Sequence, residues 1–339
     1  RKRRFHISNK IIELMKFLPE FNFTQVFVDP WSSISLLHWN AQIVVMGILV
    51  CWACGIVGSF IVVRRMALMG DAISHGILPG LALSFIFGNS LGLGSMFLGA
   101  CLAGLACNFC IELLHTRTPI KEDAAMGLVF TSFFAIGVTL ISIQGEVHMD
   151  PECILYGEIG MVPLSESLYL FDVELGNRSL WMMGFVCCVV AIGTILFYEQ
   201  LLVTSFDSTL ANSLGIPARA IHMALMICLA LSTVASLEAV GVILVVAMFV
   251  FPSVTASFFM RRLPYILVGT IPLGVLYSIG GFHLAHWLDC SIAASIAVVA
   301  TALFVPACLF GPNGGIFWKI RLNWTKKKPS HGGPLKEYL

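Results

Sequence analysis

The 339-residue chain predicts an all-α, polytopic membrane helical bundle of about nine spans, with one short helix on its cytoplasmic face. Three observations predict it. The composition is 58% apolar and 12% charged with a mean hydropathy of +0.90, where a soluble domain carries roughly 25% charged residues. The apolar residues fall in runs near the ~20 residues that a ~30 Å hydrocarbon core requires, not in the ~10-residue alternating segments of an outer-membrane barrel. All eight Lys and Arg between Gln42 and Phe310 lie between those runs.

In chain order, residues 1–41 form a basic, partly amphipathic extension, with Arg1-Lys2-Arg3-Arg4, Lys10 and Lys16. They lack the apolar core and small-residue cleavage site of a signal peptide, and 11–28 can lie along the membrane interface. Residues 42–312 hold the runs: 42–63, 66–88, 93–114, 124–143, 180–197, 221–237, 239–259, 265–282 and 288–310. The sixth is short enough for a pore-lining half-span. A basic tail, 313–339, follows. Under nine-span alternation, Arg64/Arg65, Arg117/Lys121, Arg219, Arg261/Arg262 and Lys319–Lys328 share one side, which the positive-inside rule makes cytoplasmic. The opposite side holds 144–178, with Arg178 against Glu146, Asp150, Glu152, Glu158, Glu166, Asp172 and Glu174. The basic amino terminus falls on that outer side by alternation, against the rule, so its side stays open.

The second run carries Asp71 and His75. An ionisable side chain in hydrocarbon costs about 2.5–3.5 kcal/mol by insertion scales, so two on one helix mark a functional site by default. Their i, i+4 spacing stacks them on one face, where a carboxylate oxygen and an imidazole nitrogen can converge on a divalent cation. Ten residues of helix, about 15 Å, separate His75 from Arg65, which places it near mid-bilayer. Pro79 offers no N–H to the His75 carbonyl, and Gly76-x-x-x-Gly80 admits a close helix neighbour. A buried pair that merely fixes helix packing is the competing reading.

Between the fifth and sixth runs, 205–217 reads as a complete short helix: Asp207 as N-cap, Leu210 and Leu214 as an apolar stripe, Gly215 as the stop and Pro217 beyond it. A cytoplasmic helix of this kind has no lipid to bury its stripe in and needs a groove on a partner, or else packs back on its own bundle. His283 and His286, at the outer eighth-to-ninth turn, are candidates for metal capture or are solvated. Glu238 is either a pathway acid or a helix cap, and Glu112 is read as snorkelling to the cytoplasmic surface. The acids of 144–178 concentrate cations, dock a receptor or are simply solvated. Cys51-x-x-Cys54 and Cys107-x-x-Cys110 have ligand spacing, but in membrane helices they read as packing.

No lysine follows a glycine, which excludes a Gly-Lys-Ser/Thr phosphate loop, and there is no His-Glu-x-x-His. ATP hydrolysis, if used, belongs to another subunit. Arg-Arg-Met-Ala-Leu-Met-Gly-Asp-Ala-Ile-Ser-His (64–75) resembles the signature of permease subunits in the zinc/manganese/iron family of metal-importing ABC transporters. The 205–217 segment resembles that family's coupling loop, and Val240-Gly241-Val-Ile-Leu-Val-Val-Ala-Met with Pro252 and Thr255-Ala256 resembles its next block. The likeness runs from about Gln42 to Gly315. The basic extension and His283/His286 depart from the pattern. The resemblance implies a bacterial plasma-membrane permease, not an enzyme, that has no resident cofactor and carries manganese, iron or zinc as cargo. Its implied partners are a separate ATPase, an external metal-binding receptor, a second permease copy or a paralogue, and lipid, with no nucleic acid. Asp71 and His75 would bind the ion, and Asp207, Leu210, Leu214 and Gly215 would couple the ATPase. A gradient-driven carrier using Asp71 and His75 is the alternative, and a membrane enzyme a distant third.

Overall fold

A computed structural model describes Pro19 and residues 21–88, 93–143, 159–165, 167–170 and 173–318. Its helices are α1 (Phe23–Phe27), α2 (Ile34–Val63), α3 (Met69–Gly76), α4 (Leu78–Gly88), α5 (Leu93–Arg117), α6 (Glu122–Ile143), α7 (Arg178–Leu196), α8 (Tyr198–Phe206), α9 (Ser208–Ser213), α10 (Ala218–Phe259), α11 (Leu263–Leu288) and α12 (Ile292–Phe310). Among the described residues nine segments are long and apolar enough to cross a membrane, α3 and α4 together making one and α10 supplying two. The all-α, nine-span bundle expected from the sequence is what the chain forms. One small addition is an antiparallel hairpin, β1 (Ser167–Leu170) with β2 (Val173–Asn177), outside the spans.

The first span begins at Ile34, eight residues before the run counted from Gln42, because the Ser33 hydroxyl accepts from Leu36 N–H and caps the helix there. α2 is the axis of the bundle, packed along α10 and α11 and flanked by α7. Ser59 Oγ meets Ser253 Oγ at 3.1 Å, and Ser278 Oγ donates to the Val44 carbonyl at 2.7 Å, tying α2 to both partners. Such interhelical bonds contribute roughly 0.6–2 kcal/mol each in a membrane.

The sixth span is not a half-span. Residues Ala218–Leu237 are 20 residues of helix, and the chain then turns at Gly241, whose φ of 77° and ψ of 167° only glycine adopts without strain. Cys54 touches Ser236 while a Cβ on Gly58 would strike Phe249. One turn of α2 thus meets residues thirteen apart on α10, which requires the chain to double back at Gly241.

The described part of the amino-terminal extension settles at one end of the bundle. Pro19, Phe21, Val26, Phe27 and Trp31 pack on the last turns of α11: Trp287 donates to the Pro19 carbonyl, and Phe27 and Trp31 flank the His283 ring. Asn40 donates to the Pro30 carbonyl at 2.8 Å and pins this segment to α2. That end is opposite the one bearing Arg64, Arg219, Arg261 and Arg262, called the basic end below. Residues 1–18 and the Lys319–Lys328 tail lie outside the described residues.

Candidate metal pathway and coupling surface

α3 is a two-turn helix with one buried and one open face. Met69, Gly70, Ala72, Ile73, Ser74 and Gly76 are buried, Gly70 against Phe249 and Gly76 against Cys107. Ser74 Oγ returns to the Gly70 carbonyl at 2.8 Å and is spent locally. Asp71 and His75 take the other face, 40% and 26% exposed, with His75 Nε2 3.5 Å from Asp71 Oδ1. That separation exceeds the ~2.9–3.0 Å of a good N–H···O bond, so the pair is adjacent but not closed on itself. The imidazole lies against Phe130 and Phe134 of α6, at ring distances of 6.0 and 5.6 Å.

The helix carrying the pair breaks immediately after it. Ile77 N–H still reaches the Ile73 carbonyl, but Pro79 has none to give His75, and Gly80 N–H turns to the Ile77 carbonyl at 3.0 Å. α4 then lies against α5 backbone to backbone, since a Cβ on Gly80 would fall on the Gly99 carbonyl oxygen. Among the described residues no three His, Cys, Asp or Glu side chains converge as a metal cage. The cysteines of both Cys-x-x-Cys pairs are free; Cys51, Cys54 and Cys107 are packed in the core, and Cys110 is partly exposed.

The other candidates stand apart. His283 Nδ1 donates to the Val26 carbonyl at 2.9 Å and His286 Nδ1 to the Phe282 carbonyl at 3.1 Å, both among the aromatic side chains that dock the amino-terminal segment. Glu238 lies on α10 just before the reversal, its side chain outside the description. Glu146, Asp150, Glu152, Glu158, Glu166 and Asp172 lie outside the described residues, as does the side chain of Glu174. Glu112 does not snorkel: its Oε2 is 3.3 Å from His222 Nε2. A partner on a helix more than a hundred residues away left no local signal in the sequence.

At the basic end, α9 is a single capped turn and a half. Asp207 accepts from Thr209 N–H at 2.9 Å and Leu210 N–H at 3.0 Å. Its far end is a Schellman motif: Gly215 N–H bonds to Asn212 O and Ile216 N–H to Ala211 O, with Gly215 at φ 79°. Ala211 is buried, whereas Leu210 is 50%, Leu214 62% and Phe206 70% exposed. Phe206 escaped the sequence reading because it closes α8 and precedes the cap.

The ABC 3 transport family model matches residues 38–311, most of the chain. The chain belongs to that family. Its fold, its membrane-length apolar helices and its relatives make it a metal-transport ABC permease, a multi-pass membrane protein. It is 40% identical over 295 residues to the manganese transport system membrane protein MntD of Bacillus subtilis, covering 86% of this chain and 99% of that one. The zinc transport system membrane protein TroD of Treponema pallidum is 37% identical, over 81% of this chain and 75% of its own. Among solved structures, PsaBC from Streptococcus pneumoniae in complex with Fab superposes with a TM-score of 0.71 at 31% identity, covering 87% of this permease and 98% of that chain. An inward-facing putative metal-chelate type ABC transporter, at 14% identity and a TM-score of 0.57, shares the fold alone.

Proposed function

We propose that the permease imports a divalent transition metal across a bacterial plasma membrane, passing the ion over Asp71 and His75 and drawing on a separate ATPase docked at α9. The observation that carries this is the open Asp71–His75 pair, 3.5 Å apart at the break in its span. Two ligands about 2.1 Å from a shared ion and about 109° apart stand about 3.4 Å from each other, so the pair needs little rearrangement to hold one cation. One carboxylate with one imidazole suits manganese, iron or zinc better than calcium or magnesium, which favour all-oxygen shells. Two ligands leave the shell incomplete. Another span, waters or the His75 carbonyl complete it, and a partial shell allows release.

The relatives named for manganese and zinc support a cargo from that set, and we infer that an external metal-binding receptor delivers it. Family membership leaves the gradient-driven carrier without support. The test is uptake of radiolabelled manganese by cells producing the permease with its ATPase. Uptake should vanish when the ATPase is catalytically inactive; uptake that persists would return the gradient-driven carrier.

Orientation follows from the basic end facing the cytoplasm, as the Lys and Arg distribution requires. In a background lacking Cys153 and Cys290, Ser291→Cys should react with an impermeant maleimide from outside. Ser213→Cys on α9 should react only after permeabilisation. The reverse pattern would invert the assignment.

A further inference from the structure

Arg64 closes α2 and opens the 64–75 block, and neither the ion site nor the docking patch accounts for its contacts. Its guanidinium makes three bonds: Nε donates to Ser205 Oγ at 3.0 Å, Nη2 to Thr204 Oγ1 at 3.0 Å and Nη1 to His222 Nδ1 at 2.8 Å. A guanidinium has no acceptor to offer, so His222 Nδ1 accepts and Nε2–H is left to donate to Glu112 Oε2 at 3.3 Å. Thr204 and Ser205 pass their own hydroxyl protons to the Gln200 and Leu201 carbonyls. Each acceptor around the guanidinium is thereby oriented toward it, in a half-buried network. Desolvation pulls the Arg64 pKa down and the nearby Glu122 carboxylate opposes it, the balance expected of a charge held inside protein. The arrangement is no cation site, since a guanidinium occupies the imidazole lone pair a metal would need.

The three bonds join parts of the chain that carry the two functional features. Thr204 and Ser205 lie in the last turn of α8, and Asp207, two residues on, caps α9. On the other side Arg65 takes the left-handed φ of 64°, rare for a residue with a side chain, and steers the chain through 66–68 into α3. Asp71 is seven residues from Arg64. His222 and Glu112 anchor the same guanidinium to the start of α10 and the end of α5. A displacement of α9 that carries the last turn of α8 with it must either move the α2–α3 junction or break charged hydrogen bonds inside protein.

We propose that Arg64 is a positioning residue for transport, a clamp that transmits movement of the ATPase-docked α9 to the helix bearing Asp71 and His75. This rests on the function proposed above. The planar three-way fork is what the role needs: lysine keeps the charge but holds a point donor where arginine holds a rigid plate.

The experiment uses the complete transporter in proteoliposomes, with ATP hydrolysis and radiolabelled manganese uptake measured on the same preparation. Arg64→Gln should retain ATPase co-purification and basal hydrolysis while uptake per ATP hydrolysed falls about tenfold or more, the size of an ordinary coupling between sites. Arg64→Lys should fall between that and the parent. The doubly substituted Thr204→Ala/Ser205→Ala protein, which leaves the arginine in place, should lower the same ratio and add little in the Arg64→Gln background. A parental ratio in both Arg64→Gln and the Thr204/Ser205 variant overturns the clamp. So does an Arg64→Gln protein that fails to assemble while the Thr204/Ser205 variant keeps a parental ratio, for then Arg64 serves only the fold. Absence of ATP-dependent uptake in the parent itself would instead sink the proposed function.

Discussion

Asp71→Asn is expected to abolish metal uptake while the permease still reaches the membrane and still retains its ATPase. The substitution keeps the size of the side chain and its hydrogen-bonding capacity but removes the charge that offsets a divalent ion in a low-dielectric setting. Asp71 is 40% exposed on the open face of α3 and has no packing role comparable to that of Ile73 or Ser74, so folding should tolerate the amide. Outer-shell partners of metal ligands are commonly worth 10- to 100-fold, so loss of a direct ligand should cost at least about a hundredfold in uptake rate. His75→Ala should do the same with a less clean reading, because the imidazole also packs against Phe130 and Phe134. Initial rates with radiolabelled manganese, normalised to permease abundance, decide the matter. Parental rates in Asp71→Asn would leave the pair a structural feature and remove the centre of the proposed function.

Most of the architecture was legible in the sequence because a bilayer enforces it locally. Each span must satisfy its own backbone, so apolar runs of helical length announce themselves without knowledge of their neighbours. Asp71 and His75 were legible for the same reason, two ionisable groups where the solvent tolerates few. Asp207 and Gly215 carry cap and stop chemistry within their own segment, and both positions behave accordingly. What the sequence could not display was contact across the bundle. Glu112 read alone is a surface acid near a helix end, and only the fold brings His222 to it and Arg64 to His222. The sixth span looked short because its amino-terminal turn begins Ala218-Arg219, polar enough to be read as loop. The helical frame continues through it, with Ala220 and Ile221 N–H bonded to the Pro217 carbonyl. The sequence left His283 and His286 as candidates for metal capture or as solvated, and their contacts with the Val26 and Phe282 carbonyls are to backbone groups that no side-chain pattern reveals.

Leu210→Asp should uncouple the transporter without touching the ion site. Leu210, Leu214 and Phe206 present apolar surface at the basic end, while Ala211 beneath them is buried and the Asp207 cap and Schellman motif hold the turn in one shape. A rigid, exposed apolar knob of this kind suits a groove on a folded partner. Because Leu210 is half exposed, an acidic replacement there should change permease stability by no more than about 0.5 kcal/mol. At an interface, by contrast, loss of an anchoring side chain costs about 1–3 kcal/mol, and burying a new carboxylate adds to it, so ATPase association should weaken at least tenfold. Gly215→Pro should reach the same result by another route, since proline cannot adopt φ 79° and the motif that aims α9 would open. Ser213→Asp, exposed and polar already, serves as the control and should leave association unchanged. The measurement is the amount of ATPase that co-purifies with the permease, read beside ATP-driven uptake. Full retention together with normal uptake in Leu210→Asp would mean that α9 packs only on its own bundle, and that the ATPase binds elsewhere.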